Sequence, residues 1–418
     1  MPVSLSRLQE RWLLGILAAI QFTHIVDFMI MMPLGPQLMR LFSIQPQQFS
    51  LLVSAYTFSA GASGFLSAFF IDRFDRKSAL RFLYIGFLVG TLACAMASTY
   101  PLLLAARVLT GMFGGILGAL LLSIVGDAIP AERRGSAMGV VMAAFALASV
   151  FGVPLGLFLA NLFSWHAPFL FLVGVGIFIA AGIQWAMPSM RGHMTSGPRP
   201  HPMSVLTRMA TDRNQQLALL MVVLIMFGGF SVIPFISPYM VANVGFSEQQ
   251  LTYIYLIGGG FTIFTSPLVG KLSDKLGKAQ VFSVFLVLSL IPIFLITHMP
   301  ALPIPVALIV TSLFFITLNG RMIPSMALIT SAVEPAHRGS FMSLQSSVQQ
   351  LASGSAALVA GLIVSKGPDG QLLNYPLVGY LAMASSLLTL LVVKRLQTRD
   401  GSPPPVATEA VLETASAS

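Results

Sequence analysis

Polar and apolar positions in this chain fall into long blocks, with neither the strict alternation of a half-buried strand nor the single apolar stripe of a surface helix. Apolar runs of about 20 residues, the length that crosses a ~30 Å hydrocarbon core, number twelve. They are 12–33, 49–71, 79–99, 102–126, 136–160, 167–188, 215–241, 249–271, 280–298, 304–331, 340–364 and 375–393. Strands of a membrane barrel would be about half as long and would alternate in polarity, so the runs predict helices. The first starts straight after Arg11 and has no small-residue cleavage site, which makes it an uncleaved first helix rather than a signal peptide.

The polar intervals organise the runs. The longest internal one, 189–214, is rich in Gly, Pro, Ser and Arg and separates six spans from six. The predicted organisation is an N-terminal six-helix half (1–188), a central cytoplasmic linker (189–214), a C-terminal six-helix half (215–400) and a disordered cytoplasmic tail (401–418). The halves echo one another. IDRFDRKSAL after the second span answers LSDKLGKAQV after the eighth, placing Asp72 and Asp274 at an offset of 202, and RRGSAMG at 133–139 answers HRGSFMS at 337–343 at an offset of 204. A constant offset near half the chain marks duplication. The expected fold is an all-α polytopic membrane protein of twelve helices in two pseudo-symmetric six-helix bundles, with a site near the midplane between them.

Composition agrees. Of 418 residues 56% are hydrophobic and 9% charged, with mean hydropathy +0.85, too little charge to cover a soluble exterior. The net charge of +9 resolves into an orientation signal: 19 of the 23 basic residues lie in segments that are inside if the N-terminus is cytoplasmic. Both termini are therefore expected in the cytoplasm and a nucleic-acid partner has no support, while the absence of Asn-x-Ser/Thr sequons and targeting signals favours a bacterial inner membrane. The single cysteine, Cys94, excludes an intrachain disulfide and a cysteine-cluster metal site.

Few charges remain inside the spans. Asp27 is the acid well within one; at 1.5 Å per residue it lies about 12 Å below the outer end of its helix, and Arg107 about 9 Å below the outer end of the fourth. A buried carboxylate is costly unless paired or protonated, so alternation between pairing with Arg107 and holding a proton is what proton coupling requires. A purely structural ion pair is the competing reading. His24, three residues earlier on the same helical face, is a candidate relay or an ordinary interhelical hydrogen-bonding residue. Arg321, in the inner half of the tenth span, suits either an anionic substrate group or packing and snorkelling. Gln345, Gln349 and Ser353 form a polar stripe that faces a cavity or a neighbouring helix. Phe230 and Tyr239, in the proline-broken, aromatic seventh span, are candidates for an apolar pocket and equally for core packing.

The loop after the second span, AFFIDRFDRK, resembles the signature of the major facilitator superfamily, Gly-x-Leu-x-Asp-Arg-x-Gly-Arg-Lys. It supplies Asp72, Arg73, Arg76 and Lys77, with Ala68 and Asp75 where the pattern has glycines. The second copy, GKLSDKLGK, keeps Gly270, Leu272, Asp274, Lys275, Gly277 and Lys278. Arg107 with Gly111 resembles the family's Arg-x-x-x-Gly motif, and Gly152, Pro154 and Gly156 resemble its antiporter motif Gly-x-Pro-x-Gly. The resemblance covers the whole chain and is closest to the twelve-helix, proton-linked drug and sugar efflux branch. It implies alternating access, with Asp72, Arg73, Arg76 and Lys77 beside Asp127, Glu132, Arg133 and Arg134 as a cytoplasmic gate. Asp274, Lys275, Lys278, Glu334 and Arg338 are the second copy, and Gly152, Pro154 and Gly156 a hinge. Read without the resemblance, the same charges are positive-inside topology determinants.

The expected function is proton-coupled efflux of a small organic molecule, with protons, substrate and the bilayer as partners, no cofactor, no metal, and no ATP, since no nucleotide-binding loop is present. Oligomeric state has no signature in the chain. The rivals are an uptake symporter on the same fold, a non-transporting receptor or assembly factor, and an intramembrane enzyme, for which no paired intramembrane aspartates, HExxH or Ser/His nucleophile is found.

Overall fold

The computed structural model describes residues 6–130, 133–190, 211–334 and 338–397. Most of the predicted linker and the whole predicted tail, together with Glu132, lie outside the described residues.

Helices dominate. The first six spans are α1 (Arg7–Ile30), α3 (Pro46–Ser67), α4 (Arg76–Met96), α5 (Tyr100–Ala128), the pair α6 (Arg134–Leu147) and α7 (Val153–Leu162), and α8 (Ala167–Ala186), with a short α2 (Gly35–Leu41) after α1. The second six are the pair α9 (Arg213–Phe230) and α10 (Ile233–Tyr239), then α11 (Leu251–Leu276), α12 (Lys278–Thr297), α13 (Ile304–Ser331), α14 (Arg338–Ile363) and α15 (Tyr375–Val393). A two-residue-per-strand hairpin, β1 (Ser365–Lys366) and β2 (Leu372–Leu373), joins α14 to α15. Helix starts follow local chemistry. Ser6 and Gln9 form a capping box on α1, Asp75 caps α4 and Asp212 caps α9, while α3, α5, α8, α13 and α15 begin with proline in their first turn.

Eleven spans are long and apolar enough to cross a membrane among the described residues. The twelfth, α14, stands where it was expected but is diluted by serines and glutamines, and it compensates by burial. It makes the most extensive helix pair in the molecule with α3, across the two sets of six. That seam is built from small residues: Ser54 Oγ donates to the Gly354 carbonyl at 2.9 Å, Gly61 faces Leu351, and Gly361 lies on Ser50. Close approach replaces hydrophobic drive where the solvent is itself apolar.

An even number of spans puts both ends of the described chain at one face, here the terminal face. At the opposite face one apolar cluster joins both sets, with Ile30, Phe49 and Trp165 beside Phe235, Tyr239 and Tyr375. Toward the terminal face the cores separate. Leu17, Leu80, Leu121 and Met187 belong to one, and Met221, Phe282, Val333 and Phe341 to the other. Likewise α11 packs more on α7 and the turn before it than on α6. The two sets thus share one apolar core at the opposite face and have separate apolar cores toward the terminal face, with the α3–α14 seam reaching as far as Gly64 and Ser347.

Candidate functional site

Asp27 of α1 and Arg107 of α5, placed at similar depth by their positions along their helices, meet in the structure. Arg107 Nη1 donates to Asp27 Oδ2 at 2.9 Å and to the Asp27 carbonyl at 3.3 Å, and both side chains are fully buried. Thr91 of α4 donates to the other carboxylate oxygen at 3.1 Å. The guanidinium carbon sits 4.4 Å from the centroid of Tyr56, a cation–π contact from α3. Cys94 and Thr110, 3.7 Å apart, close the same pocket. Sequence reasoning missed Thr91 and Tyr56. Depth along a helix can be counted, whereas azimuth depends on how neighbours pack.

Around this pair, donors and acceptors remain open. Arg107 Nε and Nη2, the Tyr56 hydroxyl, both ring nitrogens of His24 and Gln21 Oε1 are buried with no hydrogen-bond partner among the described residues. His24 does not reach Asp27; its ring lies against Phe87 at 5.8 Å and Tyr56 at 6.3 Å. Gly114 makes room for them, since a Cβ there would stand 2.6 Å from the Tyr56 hydroxyl and 2.9 Å from His24 Nε2. Buried polar groups left open are costly, so this cluster stands out from the apolar packing around it.

In the second set, Arg321 is 1% exposed and points among α9, α12 and α15. It donates to the Gly228 carbonyl at 2.7 Å, to Ser386 Oγ at 3.0 Å and to Ser289 Oγ at 3.3 Å. Gly228 precedes the break between α9 and α10, and Arg321 holds a carbonyl released there. Gln345 donates to Met326 Sδ at 3.7 Å on α13, and Ser353 bonds to the carbonyl of Gln349 within its own helix. Phe230 stacks on Phe28 of α1, centroids 6.1 Å apart. Tyr239 sits higher, in the opposite-face cluster, against Tyr375 and donating to the Met299 carbonyl.

At the terminal face the charges sort by set. Arg76, nearly buried, bridges Asp72 and Asp127, both at 2.8 Å. Lys77 donates to the Gln184 carbonyl and Arg133 pairs with Glu10 of α1. Arg134 donates to the Ile129 carbonyl and Arg338 to the Val333 carbonyl, the same bond at an offset of 204. Arg73 lies in a single turn of tight helix, Ile71–Arg73, while Asp274, Lys275 and Lys278 lie around the turn from α11 to α12. Of the predicted cytoplasmic cluster, the structure thus shows Arg76 between Asp72 and Asp127, and Arg133 on Glu10. Asp75 and Gly277 occupy equivalent places and solve the turn differently. Gly277 uses a positive φ of 95°, whereas Asp75 keeps φ at −56° and accepts hydrogen bonds from Ser78, Ser189 and Met190.

Gly152 and Gly156 face α1, where a Cβ would meet Val26 at 2.2 Å and Ile30 at 2.6 Å. A π-helical turn, Ala148–Gly152, in which the Val153 N–H bonds the Ala148 carbonyl, runs into Pro154, which has no N–H to continue the ladder. On the other side of this turn, Gly259 of α11 approaches the Ser149 carbonyl.

Comparison with known proteins agrees with this architecture. The Major Facilitator Superfamily model matches residues 17–317 and 218–417. The MFS-type transporter YwfA of Bacillus subtilis (strain 168) is 26% identical over 368 residues, covering 86% of each chain. The inner membrane transport protein YdhP of Escherichia coli (strain K12) is 28% identical over 227 residues, 54% of this chain and 57% of that one. Among solved structures, a D-xylose-proton symporter superposes with a TM-score of 0.75 at 15% identity, covering 95% of this chain and all of that one. A bacterial homolog of the human lysosomal transporter Spinster, in an inward-facing conformation, gives 0.71 at 17%, with 94% and 95% covered. The helical architecture and a family match that runs through both sets of spans lead to one conclusion: the chain belongs to the major facilitator superfamily, and is a membrane transporter rather than an enzyme.

Proposed function

We propose that the protein is a proton-coupled exporter of a small organic molecule, working by alternating access in a bacterial inner membrane with both termini cytoplasmic. The observation that carries this reading is the fully buried Asp27–Arg107 pair. An ionised Asp27 is held by Arg107 and Thr91; a protonated one releases the guanidinium, so protonation and conformation are linked through one contact. Arg107 tunes the carboxylate. The pairs on Asp72, Arg76 and Asp127, with the second copy at Asp274, Lys275, Lys278 and Arg338, bias opening at the cytoplasmic face, and Pro154 with its π turn supplies the hinge. The division of the apolar core toward the terminal face supports a cytoplasm-open state in this structure. The Gly152, Pro154 and Gly156 motif supports exchange over uptake by its likeness to the family's antiporters.

The test is transport in everted membrane vesicles, using a panel of organic cations, neutral amphiphiles, sugars and organic anions under an imposed pH gradient. Compounds moved by the wild type are expected to lose gradient-driven movement in Asp27→Asn, with the protein still folded. Full driven transport by that variant would overturn the proton assignment, and movement of substrate with the proton would replace exchange by symport.

A further inference from the structure

From the buried Arg107 in one set of six spans a run of ring contacts reaches Phe230 in the other, two residues along the backbone from the carbonyl that the second buried arginine, Arg321, holds. Asp27 pairs with Arg107, and Arg107 lies over the Tyr56 ring at 4.4 Å. Tyr56 stacks on Phe28, centroids 5.1 Å apart and planes 29° apart, and Phe28 stacks on Phe230 of the other set, also at 29°. Phe230 is the last residue of α9. Two residues before it is Gly228, whose carbonyl is held by Arg321. We infer that Tyr56 and Phe28 are positioning residues that carry the protonation state of Asp27 from the first set of spans to the break in the seventh. This rests on the proton reading above and adds how the proton is felt across the interface between the sets.

Three observations carry it. First, the Tyr56 hydroxyl is buried with no partner among the described residues, so the ring's contacts with Arg107 and Phe28, not its own hydrogen bond, place it. Second, the run ends on a weakened element. Val232 N–H turns back to the Gly229 carbonyl, Pro234 has no N–H to offer, and Arg321, Ser231 and Tyr375 take up the carbonyls of Gly228, Phe227 and Val232. Third, α10 beyond this break belongs to the opposite-face seal, where Phe235 meets Phe49 of α3. Loss of the Asp27 carboxylate charge frees Arg107 from its only ion pair in the described residues. The guanidinium then no longer fixes the ring beneath it, and the stack between the sets loses its register. Other groups that face the pair are His24 on α1, Cys94 on α4 and Thr110 on α5; the His24 ring contacts Tyr56 and Phe87, and Cys94 and Thr110 contact one another.

The experiment places spin labels at Gln47→Cys and Gln249→Cys, exposed positions on either side of the opposite face, in the full chain in nanodiscs. Cys94 is buried and does not compete for label. Distance distributions are recorded between about pH 8 and about pH 5, and the infrared carbonyl band of protonated Asp27 is assigned by its absence in Asp27→Asn. The wild type is expected to shift its distances with pH, and Asp27→Asn to be fixed at every pH. Tyr56→Leu and Phe28→Leu should keep the Asp27 infrared band and lose the distance shift by about five-fold, while Tyr56→Phe keeps both. If Tyr56→Leu does not fold, Phe28→Leu and Phe230→Leu carry the same expectation. A pH shift that survives Asp27→Asn overturns the proton reading. A shift lost in Asp27→Asn but intact in Tyr56→Leu or Phe28→Leu overturns the ring assignment alone. Equal damage from Tyr56→Phe and Tyr56→Leu also overturns it, because the hydroxyl would then be the operative group.

Discussion

Asp75 does with a carboxylate what its counterpart Gly277 does with backbone freedom. Partial burial works to raise its pKa, but hydrogen bonds from Ser78, Ser189 and Met190 outweigh that and hold the carboxyl below its ordinary range. A depressed folded pKa contributes stability that is present above the unfolded value and lost as pH falls through the folded one. Asp75→Ala should therefore lower the thermal midpoint at neutral pH, by a cap-sized ~1 kcal/mol, with a deficit that shrinks on acidification below about pH 4. At the other copy, Gly277→Ala should cost about 1–3 kcal/mol at every pH, because only its backbone angle is at stake. Equal pH profiles for the two variants would contradict this. The sequence marked Asp75 only as a departure from the family pattern, because its partners Ser189 and Met190 lie more than a hundred residues away. The depths of Asp27 and Arg107 were legible because a helix converts residue number into height. Tyr56 and Thr91 were not, since neutral polar residues among small ones carry no charge signal.

Among the elements, the span divided into α9 and α10 departs furthest from a straight rod, and its aromatic and proline-rich composition announced a break without saying what would satisfy it. Arg321 is the answer, and its reach explains two adjacent glycines that the sequence leaves indistinguishable. A Cβ on Gly228 would stand 2.5 Å from Ser386 Oγ and 3.2 Å from the Arg321 guanidinium, whereas one on Gly229 would meet nothing closer than 3.4 Å. Gly228→Ala should cost roughly 1–3 kcal/mol in detergent unfolding by displacing Arg321 from the carbonyl it holds, and Gly229→Ala should be nearly neutral. Similar losses in both would mean that backbone freedom at the break, not space beside Arg321, is what those glycines provide. The helix α14 carries a related lesson. Its polar composition makes it a poor span in isolation, and its place is secured by the small-residue seam with α3, a relation between positions some 300 residues apart that no local window contains.

For the whole molecule, the opposite face is closed by an apolar cluster and tied by a polar strap that the sequence did not signal. Arg40 donates twice to Glu248, the Glu248 carbonyl accepts from Asn161, and Asn161 accepts from Gln37. Arg40 is 71% exposed, so the ion pair contributes about 0–1 kcal/mol and changes the opening equilibrium at most about five-fold. The prediction is graded: Glu248→Gln should speed thiol labelling of a buried Ser237→Cys probe several-fold, an effect that raised salt reproduces in the unmutated strap. The exchange Arg40→Glu with Glu248→Arg should restore slow labelling. No change in Glu248→Gln would leave the seal to the apolar cluster alone. The arginine bonds at Ile129 and Val333 have a mechanical consequence. Each ties the first turn of one span to a carbonyl at the end of the span before it, α6 to the end of α5 and α14 to the end of α13. If alternating access proceeds as proposed, torque on one arm of each corner would pass to the other through this bond, and the two spans would turn together as a lever instead of bending where the chain turns.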